Sequence, residues 1–146
     1  TFTEFYRRKK IKNIEMLGFK YGNDLEEIYR GAKYVVSPSI WYENFPFSVL
    51  EAMQYGKPVV ASKIGGMPEQ VDHGINGFTY QYDSISDLER AIMNIENANL
   101  EVYGERAYRK VTHEFSKEVF YDKFTTLIQT VLNKKSNEKV SISGGF

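Results

Sequence analysis

Apolar positions along the chain follow two rhythms in turn, short unbroken runs and longer stretches at helical spacing. "NIEMLG" at residues 13–18 is the first short run and predicts a strand. In "NDLEEIYRGAKYVVSPS", Asn23 and Glu26 read as a capping pair, and Leu25, Ile28, Tyr29 and Ala32 form one apolar helical face. "YVV" then predicts a buried strand ended by Pro38. "FSVLEAMQYG" predicts a helix with Val49, Leu50 and Met53 on one side, Gly56 at its C-cap and Pro58 blocking continuation. "PVVAS" is apolar without alternation, the mark of a parallel strand covered on both faces.

"IGGMPEQV" predicts a glycine turn into a short helix begun near Pro68, and "HGINGFTY" a turn feeding a last strand. Ser86 and Glu89 are expected to cap "SDLERAIMNIENA", where Leu88, Ile92 and Ile95 keep helical period. Further helices are expected at 100–113 and 117–134, the second carrying Phe120, Phe124, Leu127, Ile128 and Val131. This order predicts an α/β fold with a short, mostly parallel sheet flanked by helices. Residues 1–134 are expected to form one domain, and 135–146, where the pattern fails, a disordered tail.

Composition narrows the chemistry. With 146 residues, 42% of them apolar, the chain is long enough to bury one core. Nineteen basic against nineteen acidic side chains leave no field to track a nucleic-acid backbone, and no apolar stretch is long enough to cross a bilayer. The absence of cysteine excludes thiolate catalysis and disulfides and fits a reducing cytoplasm. His73 and His113 lie far apart without ligand-like neighbours, so no metal is expected. "RRKK" at 7–10 would suit peripheral contact with the inner face of a membrane, or simply a solvated helix end. The chain opens on Thr1 within "TFTEFYRRKK", which reads as the middle of a helix, so the domain is expected to start upstream.

The stretch "WYENFPFSVLEAM", residues 41–53, carries the main candidate site. A strand, a turn and a helix start in that order set unpaired amides just outside the strand's carboxyl end, where open α/β sheets bind ligands. Pro46 fixes the turn, and the N–H groups of Phe47, Ser48 and Val49 are expected to point at one spot suited to a phosphate. A carboxylate would repel that phosphate, so Glu51 makes sense beside a hydroxyl-bearing part of the ligand. A ribose diol fits, because one carboxylate accepts both hydroxyl protons. Glu43 would face the other end of the same ligand. The alternative is that Glu51 is a helix-surface acid near a positive helix terminus, since the spacing of two glutamates is weak evidence alone.

Glu43 to Glu51, continued by "AMQYGKPVVASKIGGMPEQVDHGINGFTY", resembles the glutamate–seven–glutamate signature and downstream block of glycosyltransferase family 4, retaining enzymes of the GT-B fold. The likeness runs from about Ile14 to Ile95 and includes "MLGF" and "AKYVVSPS". It implies a Rossmann-like, C-terminal GT-B domain that holds a nucleotide-sugar donor, with Glu51 on the ribose hydroxyls. It also implies that Glu43, with the backbone of Asn44, Phe45, Pro46 and Phe47, lies along the donor sugar and diphosphate. Ser48 and Val49 amides complete the phosphate contact, and Gly18 and Phe19 correspond to the loop that meets the base.

Phe45, Pro46 and Phe47 stand where the family shows a glycine-rich turn. The family also supplies an arginine and a lysine to the diphosphate from a segment that would precede Thr1. Hydrogen bonds from such cations contribute about 1.5–3 kcal/mol each, against about 0.3–1 for a helix N-terminus. The chain by itself is therefore expected to bind donor weakly and not to turn over.

The resemblance implies transfer of a hexose or N-acetylhexosamine from a UDP-sugar, with GDP as second choice, in polysaccharide or glycolipid synthesis. The acceptor would be a saccharide or lipid-linked hydroxyl, and an N-terminal GT-B domain would complete the site. Two other readings stay open: a non-catalytic nucleotide- or sugar-binding module, and a protein-interaction domain built on the aromatic last helix.

Overall fold

A computed structural model describes the backbone of residues 12–143 and the side chains of residues 12–134. The basic run at 7–10 lies outside the described residues, as do the side chains of the tail expected at 135–146. The chain divides into two compact units, Thr1–Gly31 and Ala32–Phe146. In the first, helix α1 (Gly22–Gly31) begins one residue ahead of Asn23, so that side chain lies within the first turn and does not precede it. Residues 14–18 form no strand, and Ile14, Met16 and Leu17 are exposed. An apolar run becomes a strand only when a neighbour pairs with its backbone, and none of the described strands does so here.

The second unit holds strand β1 (Val35–Ser37), helix α2 (Phe47–Gln54), β2 (Val59–Ser62), α3 (Met67–Gln70), β3 (Gly77–Tyr80), α4 (Ile85–Glu96), α5 (Leu100–Glu114) and α6 (Lys117–Ser143). The sheet is parallel throughout in the order β1-β2-β3, with Val36 opposite Val60 and Val60 opposite Phe78. All four residues of β2 are buried, which fits their unalternated apolar run. One face packs through Val60, Phe78 and Tyr80 against Ala91 and Ile95 of α4, while α2 lies on β1 and β2. β1 is only half-buried, in contrast to the buried strand that "YVV" predicts, whereas β3, at the other edge of the described sheet, is buried throughout.

Ser84, not Ser86, caps α4, its side chain accepting the Asp87 amide at 3.2 Å. Asn99 caps α5 in the same way, through the Val102 amide. In α6, Phe120, Tyr121, Phe124, Leu127, Ile128 and Val131 are exposed, so these aromatic and aliphatic groups are not part of the described core. Among the described residues no helix is long and apolar enough to cross a membrane.

Candidate functional site

At the carboxyl edge of the sheet, β1 stops at Ser37 and the chain loops through residues 38–46 before entering α2. Pro46 is the N-cap of α2, with φ −65° and ψ 117° and no side-chain cap. Its carbonyl accepts the Val49 amide at 3.2 Å. Of the three amides expected to face an anion, Val49's is thus engaged within the first turn, because a cap residue's carbonyl takes the first helical bond. The Val49 side chain is buried, whereas Phe47 and Ser48 are exposed at the helix start.

The loop before α2 is held at several points. Ser62, fully buried at the end of β2, donates to the Ser39 carbonyl at 2.6 Å. The Ser39 hydroxyl donates to the Glu43 carboxylate at 3.1 Å and accepts the Trp41 amide at 3.2 Å, so it can serve both at once. From the β2–α3 turn, the Gly66 amide donates to the Glu43 carbonyl at 2.8 Å. Here glycine is required: Gly65 has φ +57°, and a Cβ on it would overlap the Glu43 backbone, while one on Gly66 would overlap the Asn44 carbonyl.

A second bond from α3 reaches the same loop. Gln70, fully buried, donates through Nε2 to the Pro46 carbonyl at 3.2 Å. Its Oε1 is buried with no partner among the described residues. Asn76, also buried, donates to the Gln70 backbone carbonyl at 3.2 Å and accepts the Asp72 amide at 2.8 Å.

Glu51 is exposed one turn into α2, on the side opposite buried Val49, Ala52 and Met53. With Phe47 and Gln54 it lines an open hollow of about 490 Å³ whose far wall includes Tyr108, Thr112 and Lys117. Phe45 turns back onto Phe115 edge-on, with ring centroids 5.1 Å apart. Burial raises the Tyr80 phenol above its ordinary pKa, so this residue at the end of β3 stays neutral.

Residues Glu43 to Glu51 therefore lie in one anchored loop and the helix it feeds. Gly18, with φ +69°, and Phe19, exposed 6.1 Å from the Tyr21 ring, belong to the first unit. The sequence pattern missed Ser39 and Gln70. For Gln70 the signal was an amide among the apolar positions Met67 and Val71. Among the described residues no group of three or more histidine, aspartate or glutamate side chains could hold a metal ion.

A short parallel sheet with a ligand-facing loop at its carboxyl edge is the architecture of a nucleotide-binding α/β domain. The chain belongs to the family described as glycosyl transferases group 1, whose sequence profile matches residues 3–119. It is 34% identical over 112 residues to a glycosyltransferase of Methanocaldococcus jannaschii, covering 69% of this chain and 28% of that protein. It is 28% identical over 125 residues to a UDP-Gal:alpha-D-GlcNAc-diphosphoundecaprenol alpha-1,3-galactosyltransferase of Escherichia coli, covering 84% of this chain and 32% of the relative.

Its fold matches the crystal structure of Anabaena Alr3699/HepE in complex with UDP with a TM-score of 0.75 at 25% identity, over 88% of this chain and 36% of that one. The same neighbour has also been solved with UDP-glucose. The chain spans about a third of the length of these proteins, and its structural neighbours are GT-B glycosyltransferases.

Proposed function

We propose that this chain is the donor-binding part of a retaining glycosyltransferase of family 4, which moves a hexose or N-acetylhexosamine from a UDP-sugar to a hydroxyl acceptor. The observation that carries the reading is Glu51, exposed beside a hollow one turn past a helix start that follows a parallel strand. The neighbour solved with UDP and with UDP-glucose supports UDP over GDP as the base carrier.

In this reading Glu51 accepts both ribose hydroxyl protons. Phe47 and Ser48 amides meet the diphosphate, with Val49's amide closing the turn behind them. Glu43, oriented by Ser39 and Gly66, lies along the donor sugar with the backbone of Asn44, Phe45 and Pro46. Gly18 and Phe19 are assigned to the base. Front-face attack suits this site: as the anomeric C–O bond to the diphosphate breaks, the acceptor oxygen bonds the same face and its proton passes to the departing phosphate oxygen. Preorganised amide dipoles stabilise the charge developing there. No metal is assigned to this step.

The acceptor is a saccharide or lipid-linked hydroxyl in polysaccharide or glycolipid synthesis, as in the Escherichia coli relative named for a diphosphoundecaprenol acceptor. The cations for the diphosphate come from the start of this same domain, and an N-terminal GT-B domain completes the cleft and covers the exposed apolar face of α6. The whole enzyme works in the cytoplasm, with peripheral contact at the membrane that carries its acceptor. A transfer and hydrolysis screen over UDP-, GDP- and ADP-sugars with the full-length protein tests this. UDP-sugar turnover with the anomeric configuration kept, read by NMR, is expected; inversion, or no turnover of any donor, would overturn it.

A further inference from the structure

Helix α2 lacks the side-chain cap that α4 and α5 possess. Proline at the N-cap has no side-chain oxygen to offer, so something else must fix the direction of the first turn. We infer that Gln70 is a positioning residue for donor binding, holding the Pro46 carbonyl from behind so that the start of α2 presents its amides outward. This rests on the donor-site reading above and goes beyond it, because Gln70 lies in the buried interior and is not assigned to touch the ligand.

Three observations carry it. The Gln70 side chain is fully buried, and its donor goes to Pro46 at 3.2 Å, to the carbonyl that also accepts the Val49 amide. Pro46 itself is buried. Its carbonyl is therefore fixed inward by two donors. The short α3 and its leading turn thus clamp the loop twice, Gly66 on the Glu43 carbonyl and Gln70 on the Pro46 carbonyl, at either end of the residues assigned to the donor sugar and just before the amides assigned to the diphosphate. The cost is visible: Oε1 is left without a partner among the described residues, and an apolar side chain of similar volume would avoid that cost. An amide kept in such a place is explained by the bond its other end makes.

The two roles separate in a Gln70→Leu variant of the full-length protein. Leucine fills the space and removes both the bond to Pro46 and the unpaired oxygen. UDP affinity by titration calorimetry is expected to fall about three- to tenfold, with the thermal midpoint unchanged or raised. In Gln70→Glu the neutral acid can still donate to Pro46 and the carboxylate cannot. Its UDP affinity is therefore expected to approach wild type at low pH and to fall, relative to wild type, as pH rises. Unchanged UDP affinity in Gln70→Leu, with wild type binding normally, would overturn the positioning role alone. A wild-type protein that binds no UDP would overturn the donor-site reading first, and this inference with it.

Discussion

Two places in the second unit use the same packing device, a glycine pressed on a backbone carbonyl, at opposite ends of α2. At its N-terminal end Gly65 and Gly66 lie on the Glu43–Asn44 backbone. At its C-terminal end Gly104 of α5 lies on the Gly56 carbonyl, where Gly56 ends α2 with φ +65°. The first contact fixes a loop that carries Glu43 and leads to an exposed helix start. The second joins two helices in the interior, with Gly104 buried against Gly56 and Pro58. One device thus fixes the proposed donor loop at one end and packs two helices at the other, and substitutions should tell the ends apart.

The largest effect is expected from Gly66→Ala, whose new methyl overlaps the Asn44 carbonyl in a site that cannot yield without moving the loop. Loss of about 3–4 kcal/mol by chemical denaturation, together with loss of UDP binding by calorimetry, is expected. Gly104→Ala forces the methyl onto the Gly56 carbonyl and should cost about 2–3 kcal/mol, yet leave UDP affinity of the folded protein unchanged. If Gly104→Ala weakened UDP binding as strongly as Gly66→Ala, the two ends would not differ in kind.

Glu51→Ala should do the reverse of Gly104→Ala. Because the side chain is exposed, stability should change by less than about 0.5 kcal/mol, while UDP binding should lose about 1.5–3 kcal/mol from charged hydrogen bonds. The smallest effect is expected from Asp72→Asn. Lys110 is nearly buried and bonds both Asp72 oxygens at 2.7 Å, but Asp72 is 42% exposed and Glu114 stands 3.9 Å from the same ammonium. A loss of about 1 kcal/mol of stability, with UDP affinity intact, is expected.

The elements that sequence alone revealed are those whose signals are local. The helix of α2, its stop at Gly56 and the buried run of β2 follow from spacing, a left-handed residue and unbroken apolar character. The cap of α4 was misplaced by two residues because "SISD" offers two serines, and only Ser84 has a hydroxyl positioned for the Asp87 amide. "NIEMLG" has strand composition but no paired neighbour among the described residues, and pairing is not a local property.

At the site, the glutamates and the helix start were legible as a motif. The glycine pair read only as a turn, because its contact with Glu43 and Asn44 joins segments more than twenty residues apart. Gln70 stood out only as an amide among apolar positions, and its partner was hidden for the same reason: its bond to Pro46 spans 24 residues.

The central claim is that Glu51 holds a ribose diol, and it is tested most directly by calorimetric titration of UDP and 2′-deoxy-UDP into the full-length protein and its Glu51→Ala variant. Wild type should prefer UDP by about tenfold, and the variant should bind the two nucleotides equally. A variant that keeps the full preference, or a wild type that shows none, would contradict it.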